Sequence, residues 1–233
     1  MERNFMQLLR ALWAAGKFVC LGLDTGFEQI RSYAESGGVT DTIFKFNRQI
    51  IDATHDIVCA YKPNIAFYEE FGVEALIGLQ RTLDYLRATY PEVVIILDCK
   101  RGDIGNTNNG YVASAFNQYG ADAVTVNPYL GSEALAPFLR RSDKGIIVLC
   151  RTSNDGAGEF QDLPILYTRT ELAELCEGLV RTTVIEGFCD SLPFYQHVGL
   201  RVANHWNVNG NCLLVVGATY PEELAKVRLA GTP

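Results

Sequence analysis

The 233-residue sequence predicts an α/β protein, a parallel sheet with helices packed outside it. Three observations lead there. Short apolar runs rich in Val, Ile and Leu alternate five times with helical patterns, joined by short loops. The apolar runs are uninterrupted, as in strands buried on both faces. The first three of them stop abruptly in charge: Asp24, then Lys62, then Asp98 with Lys100.

Length and composition allow this. The chain suits one large α/β domain or two small ones, and 48% of it is hydrophobic, enough for a substantial core. The net charge of −7 argues against nucleic acid and anionic membranes as partners, since both favour a basic surface. Seven cysteines, an odd number with no CxxC pair, read as reduced structural thiols of a cytosolic protein; Cys20, Cys59, Cys99, Cys150 and Cys212 sit inside strand-like runs. The N-terminal stretch is too short and too polar for a signal peptide, and no apolar run is long enough to cross a bilayer.

In chain order, a helix spans about 3–15 and stops at Gly16. The run 18–24 is a buried strand with Asp24 at its tip. A helix follows over about 40–55, with Ile43, Phe46, Ile50 and Ile51 on one face and Thr40 or Asp41 as its cap. The second strand, 57–64, ends in Lys62 and is broken by Pro63, which cannot donate to a central ladder. A helix over 73–89 leads to the third strand, which begins at Val93. After it, Asn106 or Thr107 would cap a helix over about 108–119. The fourth strand is 123–129, the fourth helix 132–141 and the fifth strand 145–153. The rhythm then changes. Residues 151–164 form a polar loop long enough to act as a lid. Helical patterns over about 169–184 and 194–206 flank a break at Gly187; the first reads as an insertion, about 165–187. A sixth strand over 212–219 and a helix beginning at Pro221 complete the pattern.

Two architectures fit: an open doubly wound sheet or a TIM (β/α)8 barrel. Charge at the tips of three successive strands favours the barrel, in which functional groups come from many strand ends. The chain would supply about six of eight βα units in a single domain, 1–233.

The third strand carries the densest chemistry, Val93–Thr107, VVIILDCKRGDIGNT. Asp98 and Lys100 are two apart, so on a regular strand they point the same way, and Cys99 the other. Asp103 follows in a loop loosened by Gly102 and Gly105. An Asp-x-Lys alone is as often a structural ion pair as a site. The full pattern Asp98, Lys100, Asp103, Ile104, Thr107 resembles the signature of the orotidine 5'-monophosphate decarboxylase family. The stretches 22–29, 44–54, 60–69, 151–163 and 215–224 are also similar to that family's bacterial branch.

The resemblance implies roles. Lys100, Asp98, Asp103 and Lys62 would form the catalytic set, and Asp24, Thr107 and Ser153 would bind substrate. Lys100 would protonate C6 of the pyrimidine and Asp98 would sit beside the substrate carboxylate. Asp24 and Lys62 would hold ribose hydroxyls, and Ser153 would contact the ring. Asp103 and Thr107 would reach into the site of a second subunit, making a homodimer. No metal or organic cofactor is implied, and the enzyme would be cytoplasmic. The chemistry agrees: loss of CO₂ leaves a carbanion in the ring plane, which only preorganised charge can stabilise, and an adjacent ammonium then supplies the proton.

The sequence departs from the family in two places. Asp155 stands where the lid loop usually has Pro, and an acid near a phosphate ester would loosen closure. Family members also have two further strands after the sixth helix, whose loops bring a Gln and an Arg to the substrate phosphate; neither is in this sequence. One such charge-assisted bond is worth about 1.5–3 kcal/mol. The expectation is a chain representing part of a longer protein. Alternatives are a Mg²⁺-dependent sugar-phosphate relative on the same barrel, an aldolase-type Schiff-base lysine, and a non-catalytic nucleotide-binding barrel. The three histidines, His55, His197 and His205, receive no role.

Overall fold

A computed structural model of the chain describes residues 3–24, 26–33, 38–176, 191–219 and 221–229. They fall into two compact units, Met1–Cys99 with Asn109–Val124, and Lys100–Asn108 with Thr125–Pro233. The architecture is α/β, as the alternation predicts: six long strands, mostly parallel, with helices between them. Among the described residues no helix is long and apolar enough to cross a membrane.

The first unit is built on strands β1 (Val19–Gly22), β2 (Val58–Lys62), the first part of β3 (Val94–Arg101) and the start of β4 (Ala123–Val126). β1 runs parallel to β2 with Gly22 opposite Lys62, and β2 runs parallel to β3 with Tyr61 opposite Ile95. Each β2 and β3 residue up to Leu97 that faces the interior is apolar and buried, so the register is set by the core. Helices Val39–Thr54 and Gly72–Thr89 pack on each other, burying Ile51, Leu79, Leu83 and Leu86. The first helix, Phe5–Ala14, starts at Asn4, whose side chain accepts from the Gln7 N–H at 3.1 Å. Arg3 forks onto buried Asp122 at 2.8 and 2.7 Å, and Asp122 also accepts from the Ile95 N–H at 2.9 Å. The chain's start is thereby tied to the entry of β4 by charge-assisted bonds.

The second unit holds the tips of β3 and β4, then β5 (Gly145–Arg151), a small antiparallel hairpin of β6 (Pro164–Leu166) and β7 (Ser191–Pro193), and β8 (Cys212–Val216). β5 and β8 pair in parallel, Ile146 opposite Cys212. Helices Gly131–Leu139, Phe194–Arg201 and Pro221–Leu229 belong to this unit. Leu135, Phe138, Ile146, Val148, Leu200 and Val202 form its buried centre.

Several expectations change. The first strand is not buried: Phe18 is 69% and Val19 52% exposed. Among the described residues β1 pairs with β2 on one side only, which leaves it at the edge of the sheet. Cys20 is exposed for the same reason, whereas Cys59, Cys150, Cys176 and Cys212 are buried and Cys99 is half-buried. Burial pushes the Cys150 thiol up to about 12 and the Cys212 thiol to about 11, so both are protonated and inert. The second helix begins at Val39 after Gly38, and neither Thr40 nor Asp41 caps it. Thr40 donates instead to the Glu74 carbonyl at 2.7 Å. The helix after β3 begins earlier than expected, at Gly105, and passes from α to π geometry at Ala113. Asn106 and Thr107 therefore lie in its first turn, too far inside to cap it. The β6–β7 hairpin was not expected. Of the proposed insertion, about 165–187, the described residues up to Cys176 hold the end of β6 and a helix over Arg169–Leu175; residues 177–190, with the Gly187 break and Cys189, lie outside the described residues.

Candidate active site

In the first unit, strand order delivers three charges to one end of the sheet. Lys62 is the last residue of β2, Asp24 lies two past β1, and Asp98 is in β3. The Lys62 Nζ donates to Asp98 Oδ2 at 2.9 Å and lies 3.8 Å from Asp24 Oδ2. Asp98 is only 6% exposed, and a buried carboxylate needs such a partner. Burial alone would push the Lys62 ammonium down. The hydrogen bond and charge of Asp98, with the charge of Asp24, outweigh it and hold Lys62 above the ordinary lysine value.

The backbone fixes this arrangement. Pro63 ends β2 as expected, but pairing resumes one residue later, where Asn64 bridges to Asp98. The Pro63 carbonyl accepts from the Asp98 N–H at 2.9 Å, and the Asp98 carbonyl accepts from the Ile65 N–H at 3.1 Å. The missing proline N–H thus falls where nothing needs it. The Asn64 N–H donates to Asp24 Oδ1 at 2.8 Å. Behind Asp24, the Tyr68 hydroxyl donates to the Leu23 carbonyl at 2.7 Å and accepts from Asn47 at 3.1 Å.

In the second unit lies the continuation of the motif. Lys100 has φ +45°, in the left-handed region. It is the one described non-glycine residue there, a conformation that costs about 1–2 kcal/mol. The regular pleat that would align Lys100 with Asp98 is broken at this point, so simple alternation does not describe its direction. The backbone here is held by β4 and the residue after it: the Lys100 N–H donates to the Thr125 hydroxyl at 2.9 Å, and the Arg101 carbonyl accepts from the Asn127 N–H at 2.8 Å. A Cβ on Gly102 would stand 2.6 Å from the Asn127 carbonyl oxygen, so only glycine permits this approach. Strain concentrated at a candidate catalytic residue is characteristic of working sites.

Asp103 follows in a loop tied by Asn108. The buried Asn108 amide donates to the Asp103 carbonyl at 2.6 Å and to the Ala134 carbonyl at 2.7 Å, and its oxygen accepts from the Asp103 N–H at 3.1 Å. Asp103 Oδ1 accepts from the Ile104 N–H at 2.7 Å. Thr107 is exposed in the first turn of the following helix, and Ile104 beside it is 64% exposed. Ser153 opens the lid-like loop and is exposed. It packs on β8's end, where a Cβ on Gly217 would come within 2.9 Å of the serine Cβ. Asp155 is exposed and starts a 3₁₀ turn, Asp155–Ala157, that runs on into an α-helical turn, Gly158–Gln161, so the stretch expected as loop holds two short helical turns.

Asp24, Lys62 and Asp98 therefore meet directly, and Lys100 and Asp103 sit on either side of Gly102 in a buttressed turn. The residues missing from the sequence reading are the buttresses: Asn64, Asn108, Thr125 and Asn127. Thr125 and Asn127 carried a signal, as polar residues ending an otherwise apolar run; Asn108 carried none.

A profile of the orotidine 5'-phosphate decarboxylase / HUMPS family matches residues 18–180. The orotidine 5'-phosphate decarboxylase of Cellvibrio japonicus is 42% identical over 226 residues, 97% of this chain and 73% of that protein. Its counterpart in Janthinobacterium sp. (strain Marseille) is 44% identical over the same shares. Among solved structures, that of Leishmania donovani OMP decarboxylase is similar with a TM-score of 0.75 and 35% identity, covering 97% of this chain and 76% of that one.

Proposed function

The chain belongs to the orotidine 5'-phosphate decarboxylase / HUMPS family, and from that membership we propose that it converts orotidine 5'-monophosphate to uridine 5'-monophosphate and CO₂ in de novo pyrimidine biosynthesis. The observation that carries the assignment to this chain's own residues is the ammonium of Lys62 between Asp24 and Asp98. A charged cluster of alternating sign at strand ends suits a polar, anionic, hydroxyl-rich substrate.

The reaction breaks the bond between C6 and the carboxylate, releases CO₂ and leaves an electron pair on C6. A proton then completes the C6–H bond of the product. Lys100 is the proton donor, and its ammonium also stabilises the developing carbanion. Its strained backbone holds the charge in place before reaction, so little reorganisation is needed when charge develops. Asp98 faces the departing carboxylate. Asp24 and Lys62 pair an acceptor with a donor, the combination that two vicinal ribose hydroxyls require, and Ser153 contacts the pyrimidine. No metal or organic cofactor takes part. A Mg²⁺-dependent relative would need further acids at the strand tips, and β2 supplies Lys62 instead.

The enzyme acts as a homodimer, with Asp103 and Thr107 reaching the partner's site. The exposure of Thr107 and of Ile104, neighbours at the start of the helix after β3, supports an interface there. The fold is a (β/α)8 barrel of which this chain supplies about six units, in a single domain.

Loss of orotidine 5'-monophosphate absorbance, followed with purified chain in the presence of EDTA, tests the proposal. Wild type should turn over, and Lys100→Ala should lose at least about 10⁴-fold of kcat/KM, combining proton donation and charge stabilisation. A folded wild type without turnover, or one requiring added Mg²⁺, would contradict it.

A further inference from the structure

The loop 152–162 begins immediately after Arg151, and Arg151 makes contacts at both of its ends. Its carbonyl accepts from the Gly217 N–H at 2.8 Å, which pins the start of the loop to the end of β8. Its side chain, buried at the neck, turns to the far end of the loop. There the guanidinium lies 3.1 Å from Asp162 Oδ1 and donates to Gln161 Oε1 at 3.4 Å. Gln161 closes the circle, accepting from the Thr152 N–H at 2.9 Å and donating to the Thr152 hydroxyl at 2.8 Å. The guanidinium is aimed by a third element. Glu223, in the helix Pro221–Leu229, accepts from its Nε at 2.8 Å and from a terminal nitrogen at 3.1 Å. The Tyr195 ring lies 5.5 Å from the guanidinium carbon. The planar fork of arginine is needed to serve two acids and an amide at once, which a lysine cannot do.

We infer that Arg151, set by Glu223, is a positioning residue that clasps the neck of this loop and thereby places Ser153 against the substrate. The inference rests on the decarboxylase reading above, because it is that reading that gives Ser153 its role. Loosening the clasp costs a contact made to bound substrate and transition state alike, so the loss appears in KM rather than in kcat. A merely structural defect would instead lower the active fraction, and with it kcat, at unchanged KM.

The test is steady-state kinetics with orotidine 5'-monophosphate on Arg151→Met, Arg151→Lys and Glu223→Gln, with folding followed by circular dichroism. KM should rise about 10–100-fold in Arg151→Met, with kcat within about threefold of wild type. Arg151→Lys and Glu223→Gln should fall between. In parallel, chymotrypsin cleavage after Phe160, which is 61% exposed, should be faster in the variants than in wild type. If Arg151→Met does not fold, the two conservative variants decide. Wild-type KM and wild-type cleavage in folded Glu223→Gln and Arg151→Lys would overturn the clasp. A wild type that does not decarboxylate would remove the functional reading while leaving the clasp to be judged by proteolysis alone.

Discussion

Lys100 adopts a backbone angle that lysine avoids, and Thr125 on β4 with Asn127 just past it hold the turn in place, through the Lys100 N–H, the Arg101 carbonyl and the close approach of Gly102. Glycine adopts that angle freely. Lys100→Gly should therefore be about 1 kcal/mol more stable to denaturant than Lys100→Ala, while both are inactive; equal stabilities would show that the site stores no strain. Lys62 makes a second prediction. Its folded pKa is raised, so its stabilising effect is complete below the unfolded lysine value near 10.4 and is lost as pH climbs through the higher folded value. Lys62→Met leaves Asp98 buried beside a neutral group and should cost about 1–3 kcal/mol at neutral pH. The gap between the melting temperatures of wild type and variant should stay constant from pH 7 to about 10 and narrow above it. A gap that narrows toward acid instead would mean another group dominates. The charged residues themselves were readable, because acids and lysines ending apolar strands are conspicuous. The left-handed angle at Lys100 was not: lysine gives no hint of it, and its cause lies in Thr125 and Asn127, some 25 residues on.

The βα unit running from β3 through Gly105–Val112 is the element that turns a strand tip into a site. Its loop is short of side chains that could brace it locally, and Asn108 supplies the bracing from one turn into the helix. Asn108 is itself fully buried, and Asn108→Ala would leave the partly buried backbone groups of Asp103 and Ala134 without these bonds. It should cost about 2–4 kcal/mol and lower kcat/KM about 10-fold or more as Asp103 drifts. Chemical denaturation with parallel kinetics would check both; a stable variant with wild-type kinetics would remove Asn108 from the account. Strand and helix order was legible from periodicity, since alternating apolar runs and helical patterns admit few arrangements. The short β6–β7 hairpin was not. Each strand has three residues, each includes a proline, and they are far apart in sequence, so no turn signal joins them. The exposure of β1 was equally hidden, because an apolar run looks the same whether or not a neighbour covers it.

At the scale of the molecule, the family resemblance and the β/α alternation made the class of fold and the reaction legible, while the proposal that a site is shared between subunits rests on Asp103 and Thr107. Lys100→Ala and Asp103→Ala should each be inactive as pure proteins. Mixed after reversible dissociation, they should recover activity, because a heterodimer has one site in which both lesions are absent. Recovery of about a quarter of wild-type activity follows from random pairing of two subunit types with one intact site per mixed dimer. No recovery, with exchange shown by mass, would place Asp103 in its own subunit's site. Every proposed role depends on decarboxylation with Lys100 as the proton donor. The most direct measurement is NMR of orotidine 5'-monophosphate labelled with ¹³C at the carboxylate, incubated with the chain in D₂O. Wild type should release one labelled CO₂ for each uridine 5'-monophosphate formed, with deuterium at C6, and Lys100→Ala should leave the substrate intact over the same period. Intact substrate with a folded wild type, or equal product from Lys100→Ala, would contradict the account.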